Sequence, residues 1–74
     1  MKELIYLKTD DFKTNDKVLK ISTFIDVYNY VIVRGTNLAN VEKLVKGRVY
    51  TCDLDVKYNQ KNECFEFKVV KVNL

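Results

Sequence analysis

Residues 48–73 constrain the fold more than any other part of this chain, because they alternate as one long β-hairpin. Arg48 to Tyr58 switches side to side, Asn59-Gln-Lys-Asn62 supplies turn residues, and Glu63 to Asn73 returns. With Tyr58 and Glu63 flanking the turn, Val56 is expected opposite Phe65, Leu54 opposite Phe67 and Cys52 opposite Val69. These six apolar side chains share one face, and Phe65 and Phe67 are expected in the core. The other face then holds Thr51, Asp53, Asp55 and Lys57 against Val70, Lys68, Glu66 and Cys64. Asp55 would face Glu66, a like-charge pair that costs stability unless solvent or a basic partner screens it. Apolar parity slips between Val69 and Val70, which predicts a β-bulge where the strand bends.

The rest of the chain supplies shorter elements. Glu3 to Lys8 reads as a strand, and residues 9–17, with Asp10, Asp11 and Asp16, as a polar loop or single helical turn. Val18 to Ile25 reads as a strand with Leu19, Ile21, Thr23 and Ile25 on one face, followed by a turn at Asp26–Asn29. Tyr30 to Arg34 is a β-branched strand that Gly35 ends. Thr36 or Asn37 is placed to cap a short helix with Leu38, Val41, Leu44 and Val45 on one side and Gly47 at its C-terminal end. Three strands, a short helix and two strands resemble the OB-fold, a five-stranded Greek-key barrel. A small SH3-like barrel has much the same pattern. The expected fold is therefore a mostly β, barrel-like single domain over residues 1–74, with one short helix between its third and fourth strands.

At 74 residues the core must be small, although nearly half the residues are apolar. Modest stability or self-association into a homodimer is expected to follow. No apolar run is long enough to span a bilayer, and the first residues carry no signal-peptide pattern, so a cytoplasmic location and no membrane partner are expected. Cys52 and Cys64 fall on opposite hairpin faces without metal-ligand spacing, and are expected as free thiols. The abundance of Lys, Asn, Ile, Tyr and Phe, residues served by A/T-rich codons, points to a low-GC bacterium or one of its phages.

Catalysis is not expected. The chain has no histidine, its two glycines, Gly35 and Gly47, form no phosphate loop, and neither cysteine has an activating neighbour. No cofactor is implied. Asp53, Asp55 and Glu66 have the oxygen chemistry of a hard-cation site, but a solvated face interleaved with lysines accounts for them better. Two binding modes remain. The acidic groups Asp10, Asp11 and Asp16, and Asp53, Asp55 and Glu66, suit docking onto a basic surface made for DNA. Alternatively, Tyr28 and Tyr30 beside the turn would stack single-stranded bases while Lys20, Arg34 and Arg48 follow the backbone. A net charge of +3 permits nucleic acid without demanding it.

In length, and in its Lys/Asn/Ile/Tyr-rich make-up, the chain resembles early host-takeover proteins, specifically the sliding-clamp inhibitors of Twort-like staphylococcal phages. The resemblance implies a non-enzymatic inhibitor that binds the host replication clamp and blocks its access to DNA. Gln60-Lys-Asn-Glu-Cys-Phe65 only partly matches the linear peptide by which many proteins grip clamps, since Glu63 stands where an aliphatic belongs. Such an inhibitor would act through a folded surface, with Asp10, Asp11, Asp53, Asp55 and Glu66 facing a lysine-lined channel. Single-stranded nucleic acid remains the alternative partner.

Overall fold

The computed structural model describes residues 1–74. Five strands follow one another: β1 (Lys2–Lys13), β2 (Val18–Asp26), β3 (Val31–Thr36), β4 (Val49–Asn59) and β5 (Cys64–Asn73). They close into a barrel in the order β1-β2-β3-β5-β4. Neighbouring strands are antiparallel except β3 and β5, which run parallel through the Arg34–Lys68 pair. This is an OB-like barrel with two long hairpins, and no helix is long and apolar enough to cross a membrane.

The core is built around Phe24, which is fully buried and packs its ring against Tyr6 at 5.5 Å between centroids. Leu4, Val33, Leu38, Cys52, Val69 and Val72 complete it. Ser22 is fully buried too, and stays satisfied because Thr9 Oγ1 lies 2.8 Å from its hydroxyl and 2.6 Å from that of Tyr6. The barrel side of β2 is therefore Ser22, Phe24 and Asp26, while Leu19, Ile21, Thr23 and Ile25 lie on its other face, half-buried except for Thr23, which is buried there.

Several expectations need correction. The segment after Lys8 is strand, not loop: β1 runs on to Lys13, and Asp10 and Asp11 pair with Ile21 and Lys20. A bulge at Leu7 bends β1, so that its first half also pairs with β4 while its second half leaves the barrel with β2. The predicted helix shrinks to a single 3-10 turn at Val41–Lys43. Asn37 and Asn40 adopt left-handed backbone angles (φ 53° and 62°), which interrupt any continuous helix, while Leu38 drops into the core. Gly47 does take the left-handed conformation (φ 85°), and its N–H donates to the Tyr6 carbonyl.

Gly35 lies inside β3 rather than ending it. A Cβ there would stand 2.7 Å from the Val69 carbonyl oxygen and 2.8 Å from Leu38 Cδ1. Only glycine lets β5 and the Leu38 plug approach β3 this closely.

The long hairpin forms, but its turn sits one residue later than expected, so pairing shifts by two. Tyr58 opposes Phe65, Val56 opposes Phe67, Leu54 opposes Val69 and Cys52 opposes Val72. Asn59 sets this register, because its Oδ1 accepts the N–H groups of Lys61 and Asn62 and makes it the last residue before the turn. An even shift leaves each residue on its expected face, and the bulge falls at Val70 as the parity slip predicts. It also removes the charge conflict: Asp55 faces Lys68, Lys57 faces Glu66 and Asp53 faces Lys71.

Candidate functional site

The β4–β5 hairpin outruns the barrel. β1 covers β4 only from Val49 to Cys52, and β3 meets β5 at Lys68, so the ribbon beyond Asp55 and Lys68 has no sheet neighbour. Its barrel-side face continues the core pattern into solvent. Phe65 and Phe67, expected in the core, are 62% and 49% exposed, and Val56 and Tyr58 are exposed beside them. Phe65 and Tyr58 form an edge-to-face pair at 5.2 Å. Alternation places these side chains on the apolar face, but does not reveal where the barrel stops.

Where the arm joins the barrel, a pocket of roughly 240 Å³ opens between Leu4, Val31, Val33, Leu54 and Phe67. Its polar rim is an organised cluster around Asp26, the last residue of β2. Lys2 Nζ lies 2.7 Å from Asp26 Oδ2, Asn29 Nδ2 donates to the same oxygen, and the Tyr28 N–H donates to Oδ1. These contacts, the Lys2 ammonium first and the Asn29 amide next, hold the Asp26 carboxyl down to about 2, against some desolvation. Asp26 thereby fastens the β2–β3 turn that carries Tyr28 and Tyr30. Sequence shows Asp26 as a turn residue only; its link to Lys2 depends on the β1–β2 pairing.

Tyr28 and Tyr30 are 77% and 86% exposed, and Tyr30 has a left-handed backbone (φ 55°) that an aromatic residue rarely adopts. Phe24, in contrast, is withdrawn from any binding role by burial. Of the three cations grouped with the tyrosines, Arg34 lies on the outer sheet face beside Thr23. Lys20 alternates to the opposite side of β2, where it faces Asp11, and its backbone is tied to Asn37. Arg48 precedes β4, with its carbonyl accepting the Tyr6 N–H. Lys20, Arg34 and Arg48 therefore do not share one track.

The acidic residues divide between the two hairpins. Asp10 and Asp11 are exposed on the β1–β2 arm, and Lys8 Nζ reaches Asp10 at 3.0 Å. Asp53, Asp55 and Glu66 lie on the outer face of the β4–β5 arm, where Asn73 donates to Asp53 and Asn59 donates to Glu66 at 2.6 Å. Each of these carboxylates opposes a lysine across the ladder, so the face is a lattice of alternating charge. No three carboxylate or thiol side chains converge to hold a metal ion. Cys52 is buried and Cys64 exposed, both as free thiols. Burial, followed by the neighbouring Asp53 charge, pushes the Cys52 thiol up to about 11.

Compared with known protein families, curated proteins and solved structures, the chain matches none.

Proposed function

We propose that this chain is a non-catalytic inhibitor that lodges on a DNA-handling surface of a replication protein, a bacterial sliding clamp, and denies that surface to DNA. The observation that carries binding to a protein is the β4–β5 arm, with Val56, Tyr58, Phe65 and Phe67 exposed along one side. A two-stranded ribbon without sheet neighbours is marginal in water, and contiguous exposed apolar surface marks a protein-contact site. Aromatic side chains in such a patch are the usual energetic anchors of an interface.

The charged side of the arm suits a basic partner by individual contacts rather than by a broad negative field. Asp53, Asp55 and Glu66 each have a lysine opposite, as Asp10 and Asp11 have Lys8 and Lys20 nearby, so partner lysines would compete with the chain's own. Specificity would come from this charge pattern, and affinity from the apolar side. The molecule measures 36 × 35 × 17 Å, broader than a DNA duplex in two dimensions, which suits it to obstruct a channel built for one. The resemblance in length and composition to phage clamp inhibitors supplies the partner class.

Titration of the purified chain into a purified bacterial sliding clamp, followed by calorimetry and by clamp loading onto DNA, tests this function. The intact chain should form a complex and suppress loading. Phe65→Ser with Phe67→Ser should weaken the complex by about 2 kcal/mol or more, and Asp53→Lys with Asp55→Lys should weaken it further at low salt. Absence of a complex with the clamp refutes the assignment.

A further inference from the structure

Apart from Asp10, the outer face of β1, β2 and β3 takes no part in the proposed inhibitor function. Tyr6 and Phe24 point into the barrel, so alternate positions point away from it. Pairing sets Lys8 beside Thr23, Thr23 beside Arg34, and Arg34 beside Lys68 of β5. Three exposed cations thus share one row across four adjacent strands, with neighbouring strands about 4.8 Å apart. Thr23, inside the row, is only 6% exposed. Lys8 is engaged by Asp10, whereas Arg34 and Lys68 form no ion pair, although Asp55 stands opposite Lys68 across the β4–β5 ladder.

The adjoining row is aliphatic. Val49, Ile5, Ile25 and Ile32 follow one another across β4, β1, β2 and β3. Past that row, the β2–β3 turn presents the exposed rings of Tyr28 and Tyr30. A cationic row, an aliphatic row beside it and two rings at its end match the polarity of one nucleotide strand laid across the sheet. Phosphates meet the first and base faces meet the others. A duplex would offer the phosphates but keep its base faces stacked inside.

We infer that this face binds single-stranded nucleic acid, with Lys8, Arg34 and Lys68 following the phosphates and Tyr28 and Tyr30 stacking bases. The site lies apart from the apolar side of the β4–β5 arm and meets its charged side at Lys68, opposite Asp55, so oligonucleotide binding is measured with the chain alone, without a clamp.

Fluorescence anisotropy of a labelled oligothymidylate, measured across a salt series with the full chain, tests the inference. Binding should weaken linearly in log–log form with salt. Lys8→Gln, Arg34→Gln and Lys68→Gln should each lower that slope by about 0.7, the value for one single-strand phosphate contact. Tyr28→Ala or Tyr30→Ala should weaken binding roughly fivefold or more with the slope unchanged. Lys20→Gln and Lys61→Gln, which lie off this face, should change neither quantity. Three results would overturn the inference: no binding at low salt, equal loss of slope in the Lys20 and Lys61 variants, or a duplex competitor as effective as the single strand.

Discussion

At the scale of single residues, the informative side chains are those whose environment departs from their type. Asp26 is a carboxylate with a 5% exposed side chain, kept charged by Lys2 and Asn29. It titrates near 2 when folded and near 3.8 ordinarily, so the folded form holds its proton less tightly than the unfolded form. The stabilisation is therefore complete above the unfolded value and is lost as pH falls through the window from about 4 to about 2. Asp26→Asn should flatten the pH dependence of unfolding in that window and lower stability at neutral pH, as read by denaturant titration at stepped pH. The two cysteines differ in the opposite sense. With Cys52 buried and its thiol raised to about 11, a maleimide should label Cys64 alone in the native protein and both thiols only after unfolding. That the thiols fall on opposite faces is legible from strand alternation. The Asp26 cluster is not, because Lys2 and Asp26 meet only once β1 and β2 have paired.

Among the elements, the β4–β5 hairpin shows both the reach and the limit of periodicity. Which residues share a face, and the bulge at Val70, follow from the order of apolar and polar residues alone. The register does not, since moving a turn by one residue preserves every face and changes every partner. Asn59 decides between the two arrangements through its hydrogen bonds to Lys61, Asn62 and Glu66. Asn59→Ala should cost about 1 kcal/mol, seen as lost amide-exchange protection around Tyr58 and Phe65 while protection at Phe24 persists. The segment between β3 and β4 failed as a helix for a local reason. Its apolar spacing suits one, but Asn37 and Asn40 enter the left-handed region and Leu38 is more valuable buried in the barrel than on a helix face. Likewise, polar residues after Lys8 read as loop because an arm outside the barrel has no buried face to impose alternation.

For the molecule as a whole, closure depends on one small residue. The parallel approach of β3 and β5 brings the Val69 carbonyl to a distance that only Gly35 tolerates, and Leu38 fills the other side of the same space. Gly35→Ala should lower the unfolding free energy by about 1–3 kcal/mol, measured by chemical denaturation, since the obstruction includes the Val69 carbonyl, backbone that cannot rotate away. The number and order of the strands, the faces of the long hairpin and the absence of histidine were determined by the sequence itself, because they depend on residue type and on spacing of two along a strand. Which faces became core, and how far the barrel reaches, were decided only by tertiary structure. Phe65 and Phe67 alternate like core residues, yet stand largely in solvent because β1 pairs with β4 only as far as Cys52 and β3 pairs with β5 only at Lys68. Lys8, Arg34 and Lys68 are far apart in the chain and become neighbours only when the sheet closes. Local patterning assigns a side chain to a face, whereas what lies against that face is set by pairing between distant strands.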